Sequence, residues 1–199
     1  RLLAGMSEES SAHAEQFLRE MGVNILLNKR VVDYRDHKVV LEDGTEIATR
    51  TFIWVSGVTG VTIGNLDASL IGRGGRIKVD SFNRVEGMNN VFAIGDQCIQ
   101  VADEDYPNGH PQLAQVAIQQ GELLAKNLIR MEKGQEMKPF HYRNLGSMAT
   151  VGRNRAVAEF SKVKMQGWFA WVMWLVVHLR SILGVRNKVI VLLNWVWNY

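Results

Sequence analysis

The chain of 199 residues is poor in several residue types that would each have announced a function. It has one cysteine, Cys98, which excludes an internal disulfide framework and fits a reducing compartment. Its five histidines are scattered and join no Cys/His cluster, so no metal site is expected. None of its 18 glycines falls into a G-x-G-x-x-G loop. The nearest approach, Gly72-Arg73-Gly74, has Ile77 where the third glycine belongs. The chain therefore carries no complete loop of the kind that cradles a pyrophosphate at a helix N-terminus. No run of about 20 apolar residues is present, which excludes a single helix crossing a bilayer. The first five residues, Arg1-Leu2-Leu3-Ala4-Gly5, are too few to form the apolar core of a secretory signal.

Acidic residues are missing from one place in particular. From Lys162 onward there are five cations (Lys162, Lys164, Arg180, Arg186, Lys188) and no Asp or Glu. The other 18 of the 23 basic residues stand against all 20 acidic ones upstream. The isoelectric point near 9.1 thus reflects a near-neutral body with a basic tail, and not a nucleic-acid-binding surface. Five of the six tryptophans lie in the same tail. Within it, Gly167–Val177 and Val189–Trp197 are apolar runs too short to span. Trp168, Trp171 and Trp174 recur at helical spacing, beside Arg180, Arg186 and Lys188. Indole rings favour the headgroup boundary and the cations favour anionic lipid, so the tail over residues 167–199 is expected to be an amphipathic, membrane-docking appendage. Two core helices, or a dimer contact, are the alternative.

What is there reads as α/β. Ser7 caps a helix over Glu8–Met21 that is expected to bury Ala12, Phe17, Leu18 and Met21, with Gly22 closing it. Short strands are expected at Val23–Leu27, Val31–Tyr34, Lys38–Leu41, Thr45–Ala48 and Thr51–Val55, the last ending at Ser56-Gly57, with Asp43-Gly44 as a hairpin turn. Arg76–Asp80 alternates as a half-exposed strand. Around Phe140–Phe160 come two short strand-like pieces.

The most informative stretch is residues 91–121. A buried strand, Val91–Ile94, ends in Gly95-Asp96, a polar loop follows, and a helix opens at Pro111 and runs to about Met131. The glycine permits close backbone approach and the aspartate is left at the carboxyl end of the strand, where open α/β sheets bind nucleotides. On the helix, Ala114, Ala117 and Gly121 form a thin face for a flat ring or another backbone. Gln115 and Gln119 set two amides side by side.

Gly95-Asp96 after a Val-Phe-Ala strand, followed by Ala114-Gln115-Val116-Ala117-Ile118-Gln119, resembles the type II NADH:quinone oxidoreductases. These belong to the FAD-dependent pyridine nucleotide oxidoreductases with two dinucleotide-binding domains. The resemblance implies that the chain is the C-terminal part of such an enzyme, with both glycine-rich loops upstream. Residues 1–58 would be the second half of an NAD-binding domain, 59–135 the returning FAD-binding segment and 136–199 the C-terminal region. It implies FAD as cofactor, NADH and a membrane quinone as substrates, no proton pumping, and a peripheral place on the cytoplasmic face of the cell membrane, with a homodimer open. Cofactor contacts would come from Gly57, Gly95, Asp96, Leu113, Ala114 and Gln115. Gln115, Gln119, Met148 and Asn154 would line the quinone pocket. Another acceptor-linked reductase of the superfamily and a non-catalytic membrane-docking module stay open. His110-Pro111 is not the acid/base dyad of disulfide reductases, because Gln112-Leu113-Ala114-Gln115 follows it. Cys98 has no partner here for sulfide chemistry and reads as a small residue behind the Gly-Asp turn.

Overall fold

The computed structural model describes residues 1–61, 63–161, 163–182 and 184–197. Lys162, one of the five tail cations, lies outside them. The chain forms two compact units: Arg1–Ile53 together with Leu145–Tyr199, and Trp54–Asn144. Linear divisions were expected near residues 58 and 135; the chain crosses between units after Ile53 and after Asn144, and the first unit is assembled from both ends of the chain.

In the first unit, α1 spans Glu8–Glu20, capped by the Ser7 side chain accepting from the Ser10 N–H, with Glu8 and Glu9 in its first turn. Its buried face is Ser10, Ser11 and Ala14, not the expected one. Ala12 and Met21 are exposed and Phe17 and Leu18 are half-buried. The reason is Glu159. Its Oε1 accepts from the Ser7 backbone N–H (3.0 Å), the Ser7 hydroxyl and the Ser10 hydroxyl (2.5 Å), which draws the polar start of the helix inward. Farther along, Arg155 lies over the Phe17 ring and pairs with Glu20 at 2.8 Å.

Strands β1 (Val31–Arg35), β2 (Lys38–Leu41) and β3 (Glu46–Ala48) form an antiparallel meander in sequence order, with Val39 opposite Ile47 and Tyr34 opposite Val39. A second meander joins β6 (Ser147–Thr150), β7 (Ala156–Phe160) and β8 (Val163–Gln166). Two strands were expected here, and β8 is the third. Strand β7 is its centre, with Ala156, Val157 and Ala158 fully buried. Its alanines allow α3 (Gly167–Ser181) to approach closely, so that Ala156, Ala158 and Ala170 make one cluster with Met148, Phe160, Met165 and Trp171. Helix α4 (Val185–Trp197) follows.

Burial pushes the Glu159 carboxyl up, but the Ser10 and Ser7 hydrogen bonds outweigh it and hold it below its ordinary 4.5. The unfolded chain therefore takes up this proton at a higher pH than the folded one does. The stabilisation is complete above 4.5 and is lost as pH falls through the lower folded value. Glu159→Gln is expected to flatten the acid limb of the unfolding curve of this unit. Parallel acid limbs in the two proteins would show that the clamp does not matter.

In the second unit the core is Ile77, Val79, Val85, Ala93 and Cys98, with Leu66, Leu70, Ile71 and Met88 against it. Strands β4 (Ile77–Lys78) and β5 (Cys98–Ile99) pair in parallel. Helix α2 (Ala114–Glu132) buries Val116, Gln120 and Asn127. Gln119 and Asn127, two turns apart, each clamp the returning chain with both ends of the amide. Asn127 bonds Lys138 N and O at 2.9 and 2.8 Å, and Gln119 bonds Arg143 N and O at 3.0 and 2.9 Å. Each carboxamide thus replaces the rung of a strand pair.

Three expected strands do not form as strands. Val23–Leu27 and Thr51–Val55 are irregular, with Ile53 and Val55 exposed at 76% and 84%. Val91–Ile94 is linked by a single bridge, Phe92 to Arg84. A strand is held by the ladder of a neighbour, and among the described residues these segments have none. Arg76–Asp80 is likewise ordered as a ladder only over Ile77–Lys78.

Candidate functional site

The turn at Gly95–Gln97 is held from behind. Gly95 has a φ of 67°, in the left-handed region that glycine tolerates. A side-chain carbon there would sit 3.2 Å from the Ala117 methyl. The thin face of α2 therefore meets this backbone, the second of the two partners that its small residues allow. The Gly95 N–H donates to Gln120 Oε1 at 2.7 Å, and the Gln112 amide donates to the Asp96 carbonyl at 3.2 Å. The Asp96 carboxylate is exposed. Fixed backbone behind, free acceptor in front, is the arrangement that a hydroxyl-bearing ligand needs.

Gln120 escaped the sequence reading, which followed the pair Gln115 and Gln119. It is fully buried, and its amide also touches Cys98 Sγ at 3.6 Å. The signal was present: Val116, Gln120, Leu123 and Asn127 recur at the i, i+4, i+7, i+11 spacing of a buried stripe, so the polar residues on it had to be partnered. Cys98 is buried behind the turn as expected, its thiol 3.5 Å from the Gly95 carbonyl. Burial pushes its pKa up, against a reactive role.

Helix α2 starts at Ala114, with Leu113 as its cap, rather than at Pro111. His110-Pro111-Gln112 remain loop because they are tied down elsewhere. His110 Nε2 lies 3.0 Å from Asp103 Oδ2, and the His110 carbonyl accepts from Arg76 at 3.0 Å. The imidazole is walled by Tyr106, Phe140 and Tyr142. Burial raises the Asp103 carboxyl, but hydrogen bonds from His110 and from the Asp105 and Tyr142 backbone bring it below its ordinary value. His110 is thus a buried loop anchor.

The remaining expected residues divide between the units. In the second, Gly57 sits in an exposed segment with a φ of 108°, Leu113 and Ala114 are exposed, Gln115 is half-buried, and the Gln119 amide is committed to Arg143. In the first, Met148 packs on the Ala156–Ala170 cluster, while Asn154 takes a φ of 63° in the β6–β7 turn with its Oδ1 buried and unpartnered.

The tail is two helices with mixed surroundings. Helix α3 runs through His178 and Arg180 to Ser181. Ala170 is fully buried and Trp171 half-buried against the sheet, so part of α3 is core. Trp168, Phe169, Val176, Leu193 and Trp197 are exposed. Trp174 stacks on His178 at 3.9 Å and faces Trp195 at 6.4 Å. An apolar cleft of about 640 Å³ opens between α3 and α4, with Arg153 at its edge. Among the described residues no helix is long and apolar enough to cross a membrane, and no His, Cys, Asp and Glu cluster could hold a metal.

Residues 1–121 match the model of the pyridine nucleotide-disulphide oxidoreductases. The chain belongs to that family. Residues 144–199 match the NDH2 C-terminal domain, and the NDH2 enzymes are the type II NADH dehydrogenases that the sequence resembles. It is 35% identical to the type II NADH:quinone oxidoreductase NdhA of Mycobacterium tuberculosis, over 98% of this chain and 43% of that protein. It is 32% identical to the internal alternative NAD(P)H-ubiquinone oxidoreductase A1 of Arabidopsis thaliana mitochondria, over all of this chain and 42% of that one. The chain therefore spans less than half the length of the curated relatives it matches. In fold it is similar to NDH2 from Plasmodium falciparum in complex with NADH, with a TM-score of 0.81 at 19% identity over 94% of this chain and 54% of that one. The sulfide:quinone oxidoreductase of Aquifex aeolicus is also similar, with a TM-score of 0.67 at 14% identity.

Proposed function

We propose that the chain works as the C-terminal part of a flavoenzyme that passes electrons from NADH through FAD to a membrane quinone, without pumping protons. The observation that carries this reading is the Gly95–Asp96 turn: an exposed carboxylate on a backbone fixed by Gln120, Gln112 and Ala117. Those residues fit FAD, since Asp96 is free to accept from ribityl hydroxyls and Gly95 leaves room for close approach. FAD, when bound, supplies the capacity to take a hydride and release electrons to an acceptor. The protein's part is to hold and orient. In this reading Gly57, Leu113 and Ala114 border the cofactor, and the exposed apolar run at Ile53–Val55 pairs with a strand of the same enzyme outside this chain. The relatives, more than twice as long, support that reading.

Gln115 is the amide we place beside the quinone; the Gln119 amide is engaged at both ends with Arg143 and acts by positioning that segment. Met148 and Asn154, in the first unit, are the other residues we assign to the quinone. Stopped-flow traces separate the two half-reactions. Gln115→Leu is expected to slow flavin reoxidation by quinone by about three- to tenfold, the worth of one hydrogen bond, and to leave reduction by NADH unchanged. Slowed reduction with normal reoxidation would move Gln115 to the nicotinamide side.

The basic, tryptophan-rich tail supports docking to an anionic membrane surface, and we place the enzyme peripherally on the cytoplasmic face. A homodimer is compatible with the same exposed helices.

A further inference from the structure

A polar cleft of about 390 Å³ lies in the second unit beside the Gly95–Asp96 turn, and nothing in the proposed reaction uses it. Arg73, Gly74, Arg76, Asn108, His110 and Gln112 are among its walls. Arg76 is the unusual member. It is only 8% exposed, yet among the described residues neither Arg76 nor Arg73 has a carboxylate within ion-pair distance. One of its five N–H donors goes to the His110 carbonyl. A buried guanidinium outside any direct ion pair is costly: burial works most strongly against its charged form and the neighbouring Arg73 charge adds to this, while the Asp96 carboxylate nearby offsets part of it.

The backbone is shaped to keep it there. A side-chain carbon on Gly109, whose φ is 86°, would fall 2.8 Å from Arg76 Nη2, so only glycine lets this loop lie along the guanidinium. Gly75, φ 70°, is pressed against Gly60, and the Gly60 N–H bonds the Gly74 carbonyl at 2.8 Å, which fixes the turn that carries Arg73. Gln112, at the opposite wall, is tied to the Asp96 carbonyl. Two guanidinium groups on fixed backbone, one of them desolvated, facing a cleft with room for a small oxyanion, match the bidentate chemistry by which arginine binds phosphate.

We infer that the Arg73–Arg76 cleft is a binding site for a phosphate-class oxyanion. The ligand is a free phosphate or diphosphate. The site is read without the flavin assignment and stands or falls separately from it.

Calorimetric titration of the chain with inorganic pyrophosphate, against chloride at equal ionic strength, tests this. Saturable binding is expected, weakened about tenfold by Arg73→Gln, since a charge-assisted bidentate contact is lost from an exposed residue whose replacement leaves the fold intact. Arg76→Lys, which keeps the charge and loses the planar fork, should also weaken it. Pyrophosphate binding is expected to persist in the presence of FAD; displacement by FAD would assign the cleft to the cofactor and overturn the inference. Absence of saturation in the wild-type chain, or equal affinity in all three proteins, overturns the inference. Because Arg73→Gln is read on pyrophosphate and Asp96→Ala on flavin content, failure of one leaves the other standing.

Discussion

Asp96→Ala in the holoenzyme is expected to lose most of its flavin on gel filtration. The expectation follows from the asymmetry of the turn. Everything behind Asp96 is satisfied within the protein: Gly95 N–H by Gln120, the Asp96 carbonyl by Gln112. Only the carboxylate faces outward. Removing it leaves the fold of the turn in place and takes away the acceptor alone. A hydrogen bond to a charged group is worth about 1.5–3 kcal/mol, which corresponds to about 10- to 150-fold in affinity. The flavin-to-protein ratio measures this directly. An unchanged ratio would reduce Asp96 to a turn residue and remove the main support for the cofactor assignment.

The second large effect concerns the tail, and the structure dictates which variant to make. Truncation from Gly167 would strip Ala170 and Trp171 from the β6–β8 sheet and expose the fully buried Ala156 and Ala158. Loss of membrane binding in such a protein would say little. Substituting the exposed side chains leaves that core alone: Phe169→Ser, Leu193→Ser and Trp197→Ser together remove three large apolar groups that are 71%, 62% and 90% exposed. At about 1.5–3 kcal/mol for each fully buried side chain, partial immersion of three is worth about 3–5 kcal/mol, or at least about 100-fold in vesicle partitioning. Salt should do less. The charges of Arg180, Arg186 and Lys188 are screened beyond about 8 Å at physiological ionic strength, while the apolar contribution is not. Flotation with anionic vesicles is expected to show partial release of the wild-type protein by salt and full release of the triple variant. A triple variant that still floats would assign these faces to a dimer contact.

How much could be read from the residues differs from element to element. The β2 boundaries, Lys38–Leu41, came out as expected because Asp43-Gly44 supplies a local turn, with Gly44 at a φ of 81°, and the strand partners lie within a few residues. Helix α1 was legible from its Ser7 cap for the same reason. Its buried face was not. An apolar-side rule selects Ala12 and Met21, and the deciding contact is Glu159, about 150 residues away. The same holds for the strands that did not form: β propensity at Thr51–Val55 is real, but a ladder is a non-local object. At the candidate site, Gly95, Asp96 and the small face of α2 were legible because they sit within 27 residues of sequence. The helix start was misplaced because proline at a first helical position is a good local signal, and Arg76 and Asp103 override it from outside the segment. Gln119 shows the opposite limit. Its spacing from Gln115 was legible, but its engagement depended on where Arg143 returned.

The central claim is that electrons enter from NADH and leave to a quinone through a flavin resting on the Gly95–Asp96 turn. The most direct measurement is the flavin absorbance of the oxygen-free holoenzyme during sequential additions. NADH is expected to bleach the flavin band within one catalytic turnover, and a subsequent addition of quinone is expected to restore it in full. A band that NADH leaves unbleached, or that stays bleached after quinone, would contradict the account.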